Sequence, residues 1–176
     1  MNNKSGIIQV YTGNGKGKTT AAIGVAIRAL GHGKKVFLVQ FIKKDSNLGE
    51  LKAARNFKNF EIVQAGRGCW LKKGSPEIEK DKQCTQKGWT CAQKAIASKK
   101  YDLLILDELN VAIYFNLLKV TEVTKLLRQI PRKLEVVITG RYAHPAVLKI
   151  ADLISEIREL KHYYKRGVSS RKGIEY

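Results

Sequence analysis

Three short stretches carry the residue types and spacings that chemistry on phosphate requires. The first is Thr12-Gly13-Asn14-Gly15-Lys16-Gly17-Lys18-Thr19-Thr20. Its three glycines let the backbone curl so that successive N–H groups face phosphate oxygens. A helix beginning at the end of the loop adds the positive end of its dipole. Lys18 supplies a point charge for the outer phosphates, and the Thr19 hydroxyl is spaced to ligate Mg²⁺. The strict phosphate-loop pattern has glycine six residues before the lysine. Here that position is Thr12, so the loop is a variant, with glycines at Gly13 and Gly15. The second stretch is Asp107-Glu108, directly after Leu103-Leu104-Ile105-Leu106. A carboxylate at the end of a buried strand reaches Mg²⁺ directly or through water. Either acid can be the ligand, and the pair implies Mg–nucleotide binding without implying hydrolysis. The third is Gly140-Arg141, which closes the apolar run Glu135-Val136-Val137-Ile138-Thr139.

The elements that must position these residues alternate along the chain. Ile7-Ile8-Gln9-Val10-Tyr11 reads as a strand, and a helix is predicted from Lys18 to Leu30, closed by Gly31 and Gly33. Lys35 to Ile42 is nearly continuous in apolar residues, the pattern of a parallel strand covered on both faces. A short helix is predicted over Leu48 to Asn56 and a short strand over Phe60 to Val63. Ser75-Pro76-Glu77 reads as a helix start, with a capping serine and proline in the first turn. The helix that follows is predicted to reach Ser98, with Cys84, Gly88, Cys91, Ala92, Ala95 and Ile96 on one face. Leu103–Leu106 is the next strand, and Leu117 to Gln129 an amphipathic helix broken by Pro131. Glu135–Thr139 is a strand, Pro145 to Leu153 a helix, and Glu156 to Tyr176 a basic, mixed tail.

This alternation implies a three-layer α/β/α fold with a mostly parallel sheet and right-handed crossovers. Ligands in such sheets bind at the carboxyl ends of the strands. All three chemical stretches fall at predicted strand ends and are expected to line one edge.

The composition bounds what the chain can be. Its 176 residues suit one domain spanning 1–176, and 44% hydrophobic residues suffice for a core rather than a disordered tail. Lys and Arg number 33 against 15 Asp and Glu, and the net charge of +18 attracts nucleotides, nucleic acid or acidic proteins. The excess is scattered in pairs such as Lys34-Lys35 and Lys72-Lys73, so no nucleic-acid arm stands out. Cys69, Cys84 and Cys91 form no CxxC pair, which argues against a disulfide scaffold or structural zinc. Cys84 and Cys91 read as buried small apolar residues of one helix face. No signal peptide and no membrane span is recognised, so a cytoplasmic protein with reduced thiols is expected.

Taken in order, these stretches resemble the ATP:corrinoid adenosyltransferases of the P-loop type. The resemblance rests on the glycine loop with Ala21-Ala22, on Val39-Gln40-Phe41-Ile42-Lys43, and on Leu106-Asp107-Glu108-Leu109-Asn110. It continues through Val137-Ile138-Thr139-Gly140-Arg141, Ala151-Asp152-Leu153-Ile154-Ser155-Glu156, Lys161-His162, Gly167 and the closing Gly173-Ile174-Glu175-Tyr176. The resemblance implies a RecA-like fold, a homodimer, and transfer of the 5′-deoxyadenosyl group of ATP to the cobalt of a reduced corrinoid, cob(I)alamin or cobinamide, releasing triphosphate. ATP is then co-substrate and Mg²⁺ (or Mn²⁺) the metal. Lys18, Thr19 and Glu108 take the catalytic roles, with Thr19, Glu108 and Asp107 around the metal. Gly13, Asn14, Gly15, Lys16, Gly17, Lys18, Thr19, Thr20, Arg28 and Arg141 make up the implied nucleotide site. The corrinoid falls to Trp70 and Cys69, where the family usually has Gly-Phe-Thr-Trp and this chain has Gly68-Cys69-Trp70. The implied reductant is a flavoprotein such as flavodoxin, and neither a membrane nor nucleic acid is an implied partner. Two alternatives stand beside this: a RecA-like, nucleic-acid-stimulated ATPase, prompted by the charge, and a non-catalytic corrinoid or nucleotide carrier.

Overall fold

The computed structural model describes residues 6–68 and 76–176. Strand β1 (Ile7–Thr12) passes through the glycine loop into helix α1 (Lys18–Gly31). There follow β2 (Val36–Ile42), α2 (Gly49–Ala54), β3 (Phe60–Gly66), α3 (Ile78–Ser98) and β4 (Leu103–Asp107). The chain continues as α4 (Leu109–Tyr114), α5 (Val120–Leu127), β5 (Glu135–Thr139), α6 (Pro145–Leu148) and β6 (Leu153–Glu156), and a 3₁₀ turn covers Tyr163–Arg166. The six strands form one sheet in the order β3-β2-β4-β5-β1-β6, and every pairing is parallel.

The period-two alternation of the strands builds a core on each side of the sheet. On one side Leu104 and Leu106 of β4 join Val39, Phe41, Val136 and Ile138 under Trp89, Ala92, Ile113, Val123 and Leu127. On the other side Leu103 and Ile105 join Val36, Leu38 and Val137 beneath Ala22 and Ala26 of α1. The three layers expected from the alternation are therefore present. Helix α3 lies very close to the sheet at Gly88, where a Cβ would stand 2.3 Å from the Ala65 side chain.

Several boundaries differ from expectation, each for a tertiary reason. Helix α3 begins at Ile78 with Glu77 as its N-cap and no side-chain cap; Ser75, the expected cap, lies outside the described residues. Its buried face carries Thr85, Gly88, Trp89, Ala92, Ala95 and Ile96, whereas Cys84 and Cys91 are only half-buried. Trp89 is large enough to take the centre of the stripe and turn it by about one position. The expected helix over Leu117 to Gln129 is shorter, Val120–Leu127, and a separate turn of helix, α4, directly follows Asp107-Glu108. The helix expected to reach Leu153 ends at Leu148, and the chain then adds β6 to the edge of the sheet beside β1. Asp152 makes that junction: its carboxylate accepts the Ile8 N–H at 2.9 Å, and its own N–H donates to the Ile8 carbonyl at 2.8 Å. All four β6 residues are exposed, so the strand carries no burial pattern to read. Among the described residues no helix is long and apolar enough to cross a membrane.

Candidate nucleotide site

The glycine loop, Asp107-Glu108 and Gly140-Arg141 follow β1, β4 and β5, which are neighbours in the order β4-β5-β1. The three stretches therefore meet at one carboxyl edge of the sheet, as the strand-end argument requires.

The loop owes its shape to glycine. Gly13 and Gly17 have φ of 98° and 118°, in the region side chains avoid, and Gly17 is the N-cap of α1. Close approach restricts Gly13 and Gly15 further. A Cβ on Gly13 would stand 2.4 Å from the Ile157 carbonyl oxygen, and one on Gly15 would stand 2.8 Å from the Arg158 backbone. The Gly15 N–H donates to the Ile157 carbonyl at 2.8 Å. This amide thus ties the loop to the chain leaving β6, where the sequence had suggested only inward-facing amides.

Lys18 turns back over the loop, and its Nζ donates to the carbonyls of Gly13 and Gly15 at 2.8 and 2.7 Å. Burial pulls its pKa down, with Glu108 and Asp107 opposing and Arg141 adding to the fall. A partly desolvated ammonium of this kind interacts strongly with an arriving phosphate.

Asp107 is fully buried and accepts from three side chains. The hydroxyls of Thr139 and Thr19 donate to Oδ1 at 2.6 and 2.8 Å, and Lys43 Nζ reaches Oδ2 at 2.8 Å. Lys43 also lies 3.5 Å from the Thr19 hydroxyl. Burial lowers the Lys43 pKa, but the Asp107 carboxylate, with Glu50 and Glu108 adding to it, turns the net direction up.

Glu108 has a left-handed backbone, φ 63°, and its N–H donates to the Thr139 hydroxyl at 2.9 Å. Burial and then the charge of Asp107 raise its carboxyl pKa, with Lys43, Lys18 and Arg141 pulling it down. Its side chain leans over Gly140, where a Cβ would come within 3.2 Å of Oε2. Asn110 holds the same loop by donating to the Gly140 carbonyl at 3.2 Å, and its own buried Oδ1 has no hydrogen-bond partner.

The donor set suits a hard cation. A hydroxyl and two carboxylates meet beside the phosphate loop, and one carboxylate carries a charge its surroundings penalise.

The other expected site residues fall as follows. Asn14, Lys16 and Thr20 lie exposed on the loop and the first turn of α1. Lys16 donates to Glu175 and to the Tyr163 hydroxyl, each at 2.7 Å. Arg141 is exposed beside Gly140, close enough to act on Lys18 and Glu108 electrostatically. Arg28 sits exposed in the last turn of α1, ten residues after Lys18 and so about 15 Å along the helix from the loop. Cys69 and Trp70 lie outside the described residues. Sequence reasoning singled out neither Lys43 nor Thr139 by chemistry. Each closes an apolar strand, and nothing local marks them as partners of an acid 64 or 32 residues later and earlier in the chain.

The fold and the loop together define an α/β nucleotide-binding protein of the P-loop class. In agreement, a solved KaiC-like protein from Pyrococcus horikoshii superposes with a TM-score of 0.51 at 13% identity, covering 89% of this chain and 73% of that one. The family described as ATP:corrinoid adenosyltransferase BtuR/CobO/CobP matches residues 4–176, and the chain belongs to it. It is 40% identical over 172 residues to the corrinoid adenosyltransferase of Escherichia coli K12, covering 97% of this chain and 86% of that protein. It is 39% identical to corrinoid adenosyltransferase CobA of Salmonella typhimurium over the same shares.

Proposed function

We propose that the chain transfers the 5′-deoxyadenosyl group of ATP to the cobalt of a reduced corrinoid, cob(I)alamin or cobinamide, and releases triphosphate. The observation that carries this reading is the convergence of Lys18, Thr19, Asp107 and Glu108 on one strand edge in a chain of this family. Co(I) is itself a strong nucleophile, so no Ser, Cys or Lys nucleophile is needed. The protein's work is to hold C5′ in line with cobalt and to stabilise the departing triphosphate. Lys18 and the loop amides meet the growing charge on the phosphates. The Thr19 hydroxyl and the Glu108 carboxylate serve as ligands for Mg²⁺ (or Mn²⁺), with Asp107 anchoring Thr19 between them. The metal, when bound, neutralises phosphate charge. Asn14, Lys16, Thr20 and Arg141 complete the phosphate end of the nucleotide site, Arg28, in the last turn of α1, is left to the part of the nucleotide farthest from the loop, and Trp70 with Cys69 contacts the corrinoid. We further infer a single cytoplasmic domain that works as a homodimer and draws electrons from a flavoprotein such as flavodoxin; its basic surface suits an acidic donor.

Incubation with ATP, Mg²⁺ and chemically reduced cobalamin tests the reading. The expected result is the absorbance change of a cobalt–carbon bond with stoichiometric triphosphate. ADP and phosphate appearing without corrinoid, above all if DNA or RNA stimulates it, would overturn the proposal in favour of a nucleic-acid-dependent ATPase.

A further inference from the structure

The closing Gly173-Ile174-Glu175-Tyr176 has no part in the chemistry above, yet the fold brings it to the phosphate loop. At one side of the sheet the Ile157 N–H donates to the Thr12 carbonyl, and its carbonyl accepts from Gly15, both at 2.8 Å. At the other, Tyr176 packs beside Gly49 at the start of α2, where a Cβ would stand 3.9 Å from the Tyr176 carbonyl carbon. In the sheet order β2 and β6 are separated by β4, β5 and β1, so the segment from 157 to 176 crosses the carboxyl edge that carries the site.

Glu175 fastens this crossing. Its Oε1 accepts Lys16 Nζ at 2.7 Å, Arg171 Nη2 at 3.2 Å and the Tyr163 hydroxyl. Its Oε2 accepts the Arg171 N–H at 2.6 Å and Nε at 3.3 Å. Lys16 Nζ and the Arg171 guanidinium lie 5.4 and 4.9 Å from the centre of the Tyr163 ring. The Glu175 side chain is only 14% exposed. One carboxylate and one phenol thus hold two cations, and one of those cations belongs to the phosphate loop.

We propose that Glu175 is a positioning residue for ATP: through Lys16 it sets the outer side of the phosphate loop before the nucleotide arrives. A lysine on a flexible stem loses rotamer freedom when it meets a phosphate, and Glu175 with Tyr163 has already removed that freedom. The proposal rests on the nucleotide site described above but not on the corrinoid reaction.

The test is calorimetric titration of Mg–ATP into the wild-type protein, Glu175→Gln, Lys16→Ala and the double variant, with melting temperatures to verify folding. Glu175→Gln is expected to weaken ATP about tenfold, the loss of one charge-assisted contact, and to add less than about twofold in the Lys16→Ala background. Tyr163→Phe, which keeps the ring, is expected to give a smaller loss in the same direction. Unchanged or tighter binding in Glu175→Gln overturns the proposal, as does a tenfold loss that persists without Lys16. If Glu175→Gln does not fold, Tyr163→Phe decides, and unchanged affinity there overturns it. A wild-type protein that binds no ATP overturns both this and the nucleotide-site reading, whereas ATP binding without corrinoid transfer leaves this inference standing.

Discussion

Asp107 and Glu108 are adjacent acids with different work to do. Asp107 spends its lone pairs on Thr19, Thr139 and Lys43 and serves as an anchor. Glu108 leaves the strand through a left-handed residue and carries a carboxylate whose charge is penalised by burial and by its neighbour. Lys43 Nζ, 2.8 Å from Oδ2, compensates the buried Asp107 charge. Lys43→Met leaves a buried carboxylate without its cation and is expected to cost about 3 kcal/mol, a fall in melting temperature of about 6–12 °C for a chain of this size. Mg–ATP is expected to recover part of that loss, and melting curves with and without nucleotide measure it. Equal destabilisation in both conditions would contradict the compensating role. Lys18→Met removes the ammonium that spans the loop and is expected to lower the transfer rate about 10²–10³-fold, read from the cobalt–carbon absorbance under saturating ATP.

Among the elements, α3 and the C-terminal crossing answer to different forces. Helix α3 depends on the close contact at Gly88 and on Trp89, which is 1% exposed. Gly88→Val adds three carbons where even a single Cβ would stand 2.3 Å from the Ala65 side chain, and is expected to cost about 2 kcal/mol, or about 4–8 °C in melting temperature. The site lies at the strand ends beyond this contact, so ATP affinity in the folded fraction is expected to stay within about twofold of wild type. The C-terminal crossing depends on charge instead. Arg171 first, then Lys16 and Tyr163, hold the Glu175 carboxyl far below its ordinary value of 4.5. A folded-state pKa depressed in this way contributes stability that is fully present above the ordinary value and lost progressively as the pH falls from the ordinary value to the depressed one. Resistance of the C-terminus to carboxypeptidase, compared with an unstructured reference peptide, is therefore expected to stay constant from pH 8 to pH 5. A drop in protection between pH 6 and pH 5 would contradict the assignment.

At the scale of the whole molecule, a net charge of +18 surrounds a site built for a polyanion. Much of that attraction is long-range and exposed, so salt screens it. Raising ionic strength from about 0.05 to 0.5 M shrinks the Debye length to well under 10 Å and is expected to weaken ATP severalfold. The Lys18 contribution, made inside the loop, is expected to persist. The ratio of wild-type to Lys18→Met affinity at the two salt concentrations measures this; a ratio that collapses at high salt would place Lys18 among the screened surface charges.

The sequence by itself determined the local features. Glycine at positions 13 and 17 is demanded by backbone angles, nearly continuous apolar runs mark β1, β2, β4 and β5, and Asp107-Glu108 is legible as an acidic strand end. Such signals depend on neighbours within a few residues, and one chain displays them. The lateral order of the strands is not such a signal, and only packing of both sheet faces inserts β5, with Thr139, between the phosphate loop and Asp107. Strand β6 was hidden because an exposed edge strand needs no alternation. Lys43 with Asp107, and Lys16 with Glu175, are 64 and 159 residues apart, separations that no helical or strand period encodes. Tertiary structure decided those pairs, because they form where folded elements end against one another.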